Sequence, residues 1–163
     1  MAAALALLAL TGCGLQPLYG GSAGPVARDV SAVAISAIEG KAGYLVHNAL
    51  ADRLGGAALA SARYRLDVRL DERLIGKIVR ADDAISRERR VMRARYQLVD
   101  LASGAILLDA SADSDAGIDI VSSEYAVIAA EQTAQENLAR DIANQIVTRV
   151  AATLRQGTAA PHP

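Results

Sequence analysis

The sequence contains one cysteine, Cys13, at the end of the stretch LTGC and directly behind the apolar run MAAALALLAL. A cysteine thiol can serve as a catalytic nucleophile or as a point of covalent attachment, and a free cysteine can also lie buried in a core. A single thiol excludes an intrachain disulfide framework and any zinc site built from several thiolates. The apolar run is shorter than the roughly 20 residues that span a membrane.

Residues Leu10 to Cys13 resemble the lipobox of bacterial lipoproteins, in which the thiol is diacylated and the cysteine becomes the first mature residue. The apolar run would be the hydrophobic part of the signal peptide. No Lys or Arg precedes Arg28, so either the signal is atypical or the true start lies upstream of Met1. Gly14, rather than Asp, resembles the sorting pattern of the outer membrane. We predict a lipoprotein signal peptide over residues 1–12 and a lipidated N-terminus with a linker over residues 13–28, anchored by its acyl chains.

Basic side chains are concentrated in the middle of the chain. Residues 63–95 hold eleven basic and six acidic side chains, net +5, whereas residues 96–163 have a net charge of −6. Such a block is a candidate surface for an anionic partner, although it could equally be the solvated face of strands or pair with aspartates across strands. Guanidinium groups suit bidentate contacts with phosphate. The candidate contact residues, expected on the outward face of the central strands, are Arg87, Arg89, Arg90, Arg93 and Arg95.

Residues suited to catalysis are few. His47 is interpreted as a surface histidine of a helix, and His162 lies in a Pro-rich tail far from it. The acidic pairs Asp82–Asp83 and Asp113/Asp115 are interpreted as turn formers or solvated charge. No Gly-rich phosphate loop opens a helix, and no serine lies in a Gly-x-Ser-x-Gly elbow. We predict a protein that is not an enzyme and that needs neither a cofactor nor a metal.

The elements that must position these side chains begin with residues 30–40, VSAVAISAIEG, which predict a short buried strand. Residues 41–56 predict a helix, because Val46, Leu50 and Leu54 share one face and Gly55-Gly56 follows as a C-terminal stop. Three alternating segments then predict an antiparallel meander with a hairpin at Gly104. Their inward-facing residues are Tyr64, Leu66, Val68 and Leu70, then Met92, Ala94, Tyr96 and Leu98, then Ile106, Leu108, Ala110 and Ala112.

The end of the chain predicts a long amphipathic helix over residues 123–155, capped by Ser122 or Ser123 and broken near Gln132–Gln135. A disordered tail is expected over residues 157–163. The order β-α-β-β-β-α predicts an α+β fold in a single domain over residues 29–156. Its form is a two-layer sandwich, in which two helices cover one face of a mostly antiparallel four-stranded sheet and the first strand runs parallel to its neighbour.

Several stretches resemble the lipopolysaccharide-assembly lipoprotein family, LptE, in its alphaproteobacterial form. They are the start Cys13-Gly14-Leu15-Gln16-Pro17-Leu18-Tyr19-Gly20, the strands YRLDVRL and ARYQLVD, and the helix segment AEQTAQENLARDIANQI. The resemblance implies an outer-membrane lipoprotein that faces the periplasm or lies within the lumen of a lipopolysaccharide-translocating β-barrel. It would plug that barrel, assist its assembly and bind lipopolysaccharide, with the five arginines as charge-based contact candidates. Nucleic acid is not an expected partner.

Two other readings remain open at this point. A free-standing lipid- or peptidoglycan-binding lipoprotein would need a ligand groove between the helices and the sheet, and its depletion would leave barrel assembly unaffected. A secreted hydrolase would need polar side chains that converge in a pocket.

Overall fold

A computed structural model of the chain describes residues 25–79, 85–120 and 123–159. The elements are helix α1 Pro25–Ser31, strand β1 Val33–Ile35, helix α2 Gly40–Leu54, strands β2 Tyr64–Val79, β3 Ile85–Asp100 and β4 Ile106–Asp119, and helix α3 Glu124–Ala159. A 3-10 turn at Leu59–Ser61 connects α2 to β2. The predicted signal peptide, Cys13, most of the predicted linker, Asp82–Asp83, Ser122 and residues 160–163 lie outside the described residues.

The four strands form one sheet in the order β1-β2-β3-β4. β1 pairs with β2 in parallel, whereas β2–β3 and β3–β4 are antiparallel. The predicted α+β sandwich is confirmed, and the sheet is mixed because the crossover through α2 returns the chain in the direction of β1. The parallel alignment of the first strand is likewise confirmed.

The N-terminal part of the domain differs from the prediction. Helix α1 occupies residues that were expected to be linker and strand, and β1 is only three residues long. Proline is favoured at the first position of a helix, where its missing N–H costs nothing, and this explains why the helix begins at Pro25. After Ile35 the chain leaves the sheet, and Gly40, with a φ of 80°, stands at the start of α2. A strand over residues 30–40 was therefore the wrong length.

Both long helices pack on the same face of the sheet, and their apolar stripes form the core with the inward-facing strand residues. Leu50 of α2 and Ile142 and Ile146 of α3 are fully buried, as are Leu66 and Leu98 of the sheet. The inward-facing residues predicted for the first two strands of the meander are confirmed, since all are buried except Leu70, which is partly buried. α1 packs against α3 at the end of this layer.

One predicted inward residue of the third strand is wrong. Ile106 is 56% exposed, and the register of the β3–β4 pair shifts between Leu98, which opposes Leu108, and Val99, which opposes Ile106. An extra residue in one strand reverses the faces of the residues beyond it. The alternation therefore holds from Leu108 towards Ile118 and fails at Ile106.

Helix α3 is continuous over 36 residues, about 54 Å at roughly 1.5 Å per residue. The predicted break near Gln132–Gln135 is wrong, and the helix continues past Gly157, where a tail was expected. The Ala126 N–H donates to Ser123 Oγ at 3.4 Å, which matches the predicted cap. Across the described part of the chain, no helix combines the length and the apolar character that a membrane span requires.

Candidate binding surface

The sheet has one face without helices, and most of the predicted contact arginines lie there. Successive side chains of a strand point to opposite faces, and Met92, Ala94 and Tyr96 of β3 point into the core. The odd-numbered residues Arg87, Arg89, Arg93 and Arg95 therefore share the outer face. We call this helix-free side of β2, β3 and β4 the open face.

Arg90 is not on the open face, which corrects the prediction. Its even number places it beside Met92 on the helix side, where its side chain is only 15% exposed. Its guanidinium lies 2.8 Å from Glu72 Oε1 and 3.7 Å from Glu131 Oε2, while its Nε is buried and has no hydrogen-bond partner among the described residues. Arg90 thus joins β2, β3 and α3 from inside the sandwich.

Gln135 completes this inner cluster. Its side chain is 6% exposed, and Nε2 donates to both carboxylate oxygens of Glu72, at 3.1 and 3.2 Å. Glu72 is therefore bound from β3 by Arg90 and from α3 by Gln135. We call Glu72, Arg90 and Gln135 the inner clamp. Sequence reasoning missed it, although the period of two along β2 and β3 would have placed Glu72 and Arg90 on the core side.

The open face carries acidic side chains beside the basic ones. The β3–β4 register sets Arg87 beside Asp119 at 3.2 Å, and Arg95 lies 3.1 Å from Asp109. Arg89 pairs with Asp115 at 2.8 Å. The net positive charge of residues 63–95 is thus offset by the next strand, because the most acidic strand lies against the most basic one.

The Arg95–Asp109 pair changes the pKa of both of its members. The hydrogen bond with Asp109 raises the pKa of Arg95, and the bonds from Arg95 and Gln97 lower the pKa of Asp109. Burial acts to raise the pKa of Asp67, but hydrogen bonds from Arg65 and Ser36 outweigh it and leave that pKa lowered. The carboxylates of Asp67 and Asp109 therefore stay ionised to a lower pH than a free aspartate.

Arg93 and Arg69 differ from the other open-face arginines, because neither makes an ion pair with a described residue. Arg93 lies between Asp71 and Asp113 in register, but the Asp71 carboxylate accepts from Arg73 instead, at 2.9 Å. Arg69 is exposed on the neighbouring strand and opposes Arg95. The guanidinium groups of Arg69 and Arg93 are the ones on this face best placed to receive an external anion.

The described side chains do not form a recognisable catalytic arrangement. No group of three or more His, Cys, Asp or Glu residues that could hold a metal ion occurs among them. A cavity of about 790 Å³ lies beside the edge of β2, with residues 36–39 on one side and residues 67–70 on the other. Residues 95–97 of β3 also line it, so the cavity extends from the edge of β2 to the neighbouring strand. The surface as a whole offers charged donors and acceptors for binding.

A mixed four-stranded sheet with a parallel first strand and two helices on one face defines a two-layer α+β domain shared with several bacterial lipoproteins. A candidate lipoprotein from Caulobacter crescentus CB15 is 30% identical and superimposes with a TM-score of 0.67, over 80% of this chain and 96% of that one. Lipoprotein B from Nitrosomonas europaea shares the fold. It is 16% identical and superimposes with a TM-score of 0.61, over 80% of this chain and 90% of that one. Rare lipoprotein B from Shewanella oneidensis also shares the fold. It is 10% identical and superimposes with a TM-score of 0.56, over 77% of this chain and 98% of that one.

The family model of the lipopolysaccharide-assembly family LptE matches residues 30–150, well over half of the chain. The chain belongs to the LptE family. No curated protein matches the sequence.

Proposed function

We propose that the protein is a lipid-anchored, non-enzymatic subunit of the outer-membrane machinery that inserts lipopolysaccharide. Its partner would be a β-barrel translocon, which it plugs and whose assembly it assists. The observation that carries the proposal is the family match over residues 30–150. The lipobox-like LTGC stretch and the lipoproteins of the same fold support the anchor at Cys13.

The open face is the proposed contact surface for lipopolysaccharide. The phosphates of lipopolysaccharide would bind Arg93 in preference to the other arginines of β3. The guanidinium groups of Arg87, Arg89 and Arg95 already bind aspartates. Arg69 extends this contact on β2. Arg90 is left out of the contact set, because its guanidinium lies on the helix side of the sheet and is occupied by Glu72.

Purification of the tagged full-length protein from outer membranes in mild detergent tests the assembly proposal. We expect a β-barrel protein to co-purify in a fixed ratio, and depletion of this chain to lower the amount of correctly assembled barrel. Recovery of the chain only as a free monomer, together with normal barrel levels after depletion, would contradict the proposal. The latter result would favour a free-standing lipoprotein.

The anchor is tested by Cys13→Ala. Loss of the thiol removes the site of acylation, so we expect an uncleaved or soluble form in cells that lack the barrel partner. Ser22→Ala, a substitution nearby that leaves the thiol intact, serves as the matched control. If a Cys13→Ala protein that had lost residues 1–12 remained with membranes after a high-salt wash, acylation of Cys13 would not be the anchor.

A further inference from the structure

The edge of β2 is open along most of its length. β1 pairs only with Tyr64–Leu66, and the last backbone bond between the two segments runs from the Ser36 N–H to the Leu66 carbonyl at 3.0 Å. Backbone groups of alternate residues point to the same side of a strand. The N–H and C=O groups of Val68, Leu70 and Glu72 therefore face the side that β1 has vacated, and no strand among the described residues pairs with them there.

The space beside this edge can admit a polypeptide strand. The cavity of about 790 Å³ begins at the edge where residues 36–39 diverge from β2, and its other wall consists of residues 67–70 of β2 and residues 95–97 of β3. Arg69 and Asp71 beside it are exposed, and Leu70 is only partly covered. An added strand would thus continue the sheet in the position that β1 leaves empty.

The opposite edge of the sheet, on β4, is protected. The Gln145 side chain of α3 donates to the Asp113 carbonyl at 3.0 Å, which occupies an acceptor in the middle of that edge. The outer positions of β4 carry Asp109, Asp113, Asp115 and Asp119, so pairing with a similar acidic strand would set like charges together. Proteins commonly guard free edges by such devices. The edge of β2 differs from that of β4 because its charges are of both signs, which a strand of complementary charge can match.

We propose that the free edge of β2 binds an extended segment of a partner protein, which adds as a fifth strand over residues 68–73, beyond the position that Ser36 occupies beside Asp67. The chemistry of that segment follows from the two faces of β2. On the open face Arg69, Asp71 and Arg73 alternate in sign, and on the helix side Leu70 is incompletely covered. The carboxylate of Asp67 already accepts from Ser36 and Arg65. The segment therefore carries charges of alternating sign on one face, an acid opposite Arg69 among them, and an apolar side chain opposite Leu70.

Two other occupants fit less well. Residues 1–24 of this chain contain no charged side chain, so they cannot supply the opposite charges. A second copy paired antiparallel would match Asp67 with Arg73 and Arg69 with Asp71. However, its β2 continues beyond residue 73 and would run into the position of β1 beside Leu66. A partner segment of about seven residues that ends or turns away avoids this collision. The inference does not rest on the proposed function.

A peptide copying residues 67–73, DVRLDER, is a suitable probe, because antiparallel pairing with β2 sets an acid opposite Arg69 and Arg73 and a base opposite Asp71. The short peptide ends before the residues of β2 that pair with β1. We expect saturable binding of the labelled, end-blocked peptide to the full chain by fluorescence anisotropy. N-methylation at the peptide's Leu, whose N–H would face the edge, should abolish binding. N-methylation at the adjacent Arg, whose N–H points away, should preserve it.

Variants of the protein give the reciprocal test. Leu70→Pro removes an edge donor without touching the bonds to β3, and proline is tolerated at such a position. Loss of that donor and the bond beside it should weaken peptide binding about tenfold. Leu70→Ala keeps the N–H and should stay within about threefold of the parent affinity. Arg69→Glu should weaken binding of DVRLDER and strengthen binding of the charge-reversed peptide DVRLRER.

Three results would overturn the proposal. The first is the absence of saturable binding, and the second is equal binding of the two N-methylated peptides. The third is self-association of the wild-type chain, observed by sedimentation and disrupted by the peptide DVRLDER, since the occupant of the edge would then be a second copy.

Discussion

Arg89 and Arg90 are adjacent in sequence, and each binds a carboxylate at 2.8 Å, yet they lie on opposite faces of β3. The Arg89 side chain is 61% exposed and its partner Asp115 is 46% exposed, so water and salt screen the pair. The Arg90 side chain is 15% exposed, and its partner Glu72 also binds Gln135. The open face holds a row of solvated ion pairs, whereas the inner clamp holds one partly buried cluster, in which the Glu72 side chain is 26% exposed.

The difference in exposure between the two arginine clusters separates residues that can bind a ligand from residues that stabilise the fold. Exposed pairs add little to stability, and their arginines can exchange one anion for another at low cost. A desolvated pair adds little net stability while intact, but removal of one member leaves a buried charge without compensation. The open face is therefore suited to ligand contact, and the inner clamp is suited to holding α3 on the β2–β3 hairpin.

The largest predicted effect is that of Arg90→Ala. We expect the free energy of unfolding to fall by about 2–3 kcal/mol, because Glu72 keeps its charge in a partly buried position. Arg89→Ala, the matched control on the other face, should change the free energy of unfolding by less than about 0.5 kcal/mol. Urea denaturation of the two variants measures the difference. Equal losses would show that the two faces are energetically alike.

A smaller effect is expected from coupling within each pair. A double-mutant cycle between Arg90 and Glu72 should give an interaction energy of about 1–2 kcal/mol, whereas the cycle between Arg89 and Asp115 should give about 0.2–1 kcal/mol. The Arg89–Asp115 coupling should also decrease in 1 M salt, and the Arg90–Glu72 coupling should be nearly unchanged. A coupling for Arg90–Glu72 that vanished in salt would mean that solvent reaches the clamp.

The smallest effect concerns acid stability at the edge of the open face. The folded pKa of Asp67 is lowered, so its contribution to stability is complete above the unfolded value of about 3.9 and is lost as pH falls through the folded value. Asp67→Asn should therefore lower stability at pH 7 and flatten its dependence on pH below about 4. Thermal melts at pH 2.5–7, with Asp115→Asn for comparison, measure this. An unchanged acid slope would contradict the cause assigned to the shift.

Much of the sandwich could be predicted, because the segments in which apolar residues recur at the spacing of a strand or a helix are long and regular. Residues 64–70 and 92–98 alternate without interruption, so the buried faces of β2 and β3 follow from sequence alone. Helix α3 was recognisable from its apolar step of four residues. Its continuity past Gln135 was not, because the hydrogen bond from Gln135 to Glu72 depends on a strand 63 residues away.

The candidate site was less predictable, for a physical reason. The net charge of a sequence block describes neighbours along the chain, whereas a sheet sets Asp109, Asp115 and Asp119 of another block against the arginines of β3. The alternation of side chains along β3 was enough to predict that Arg89 and Arg90 lie on opposite faces of the sheet. Which arginine keeps an unpaired guanidinium depends on rotamers and on cross-strand register, and neither can be read from composition.

One measurement tests the division between the open face and the inner clamp most directly: lipopolysaccharide binding and unfolding free energy, both determined for Arg93→Gln and Arg90→Gln. We expect Arg93→Gln to weaken binding about tenfold at low salt and to leave stability unchanged, since Arg93 has no ion pair with a described residue. Arg90→Gln should lower stability and leave the affinity of the folded protein unchanged. Full binding by Arg93→Gln, together with lost binding by folded Arg90→Gln, would contradict it.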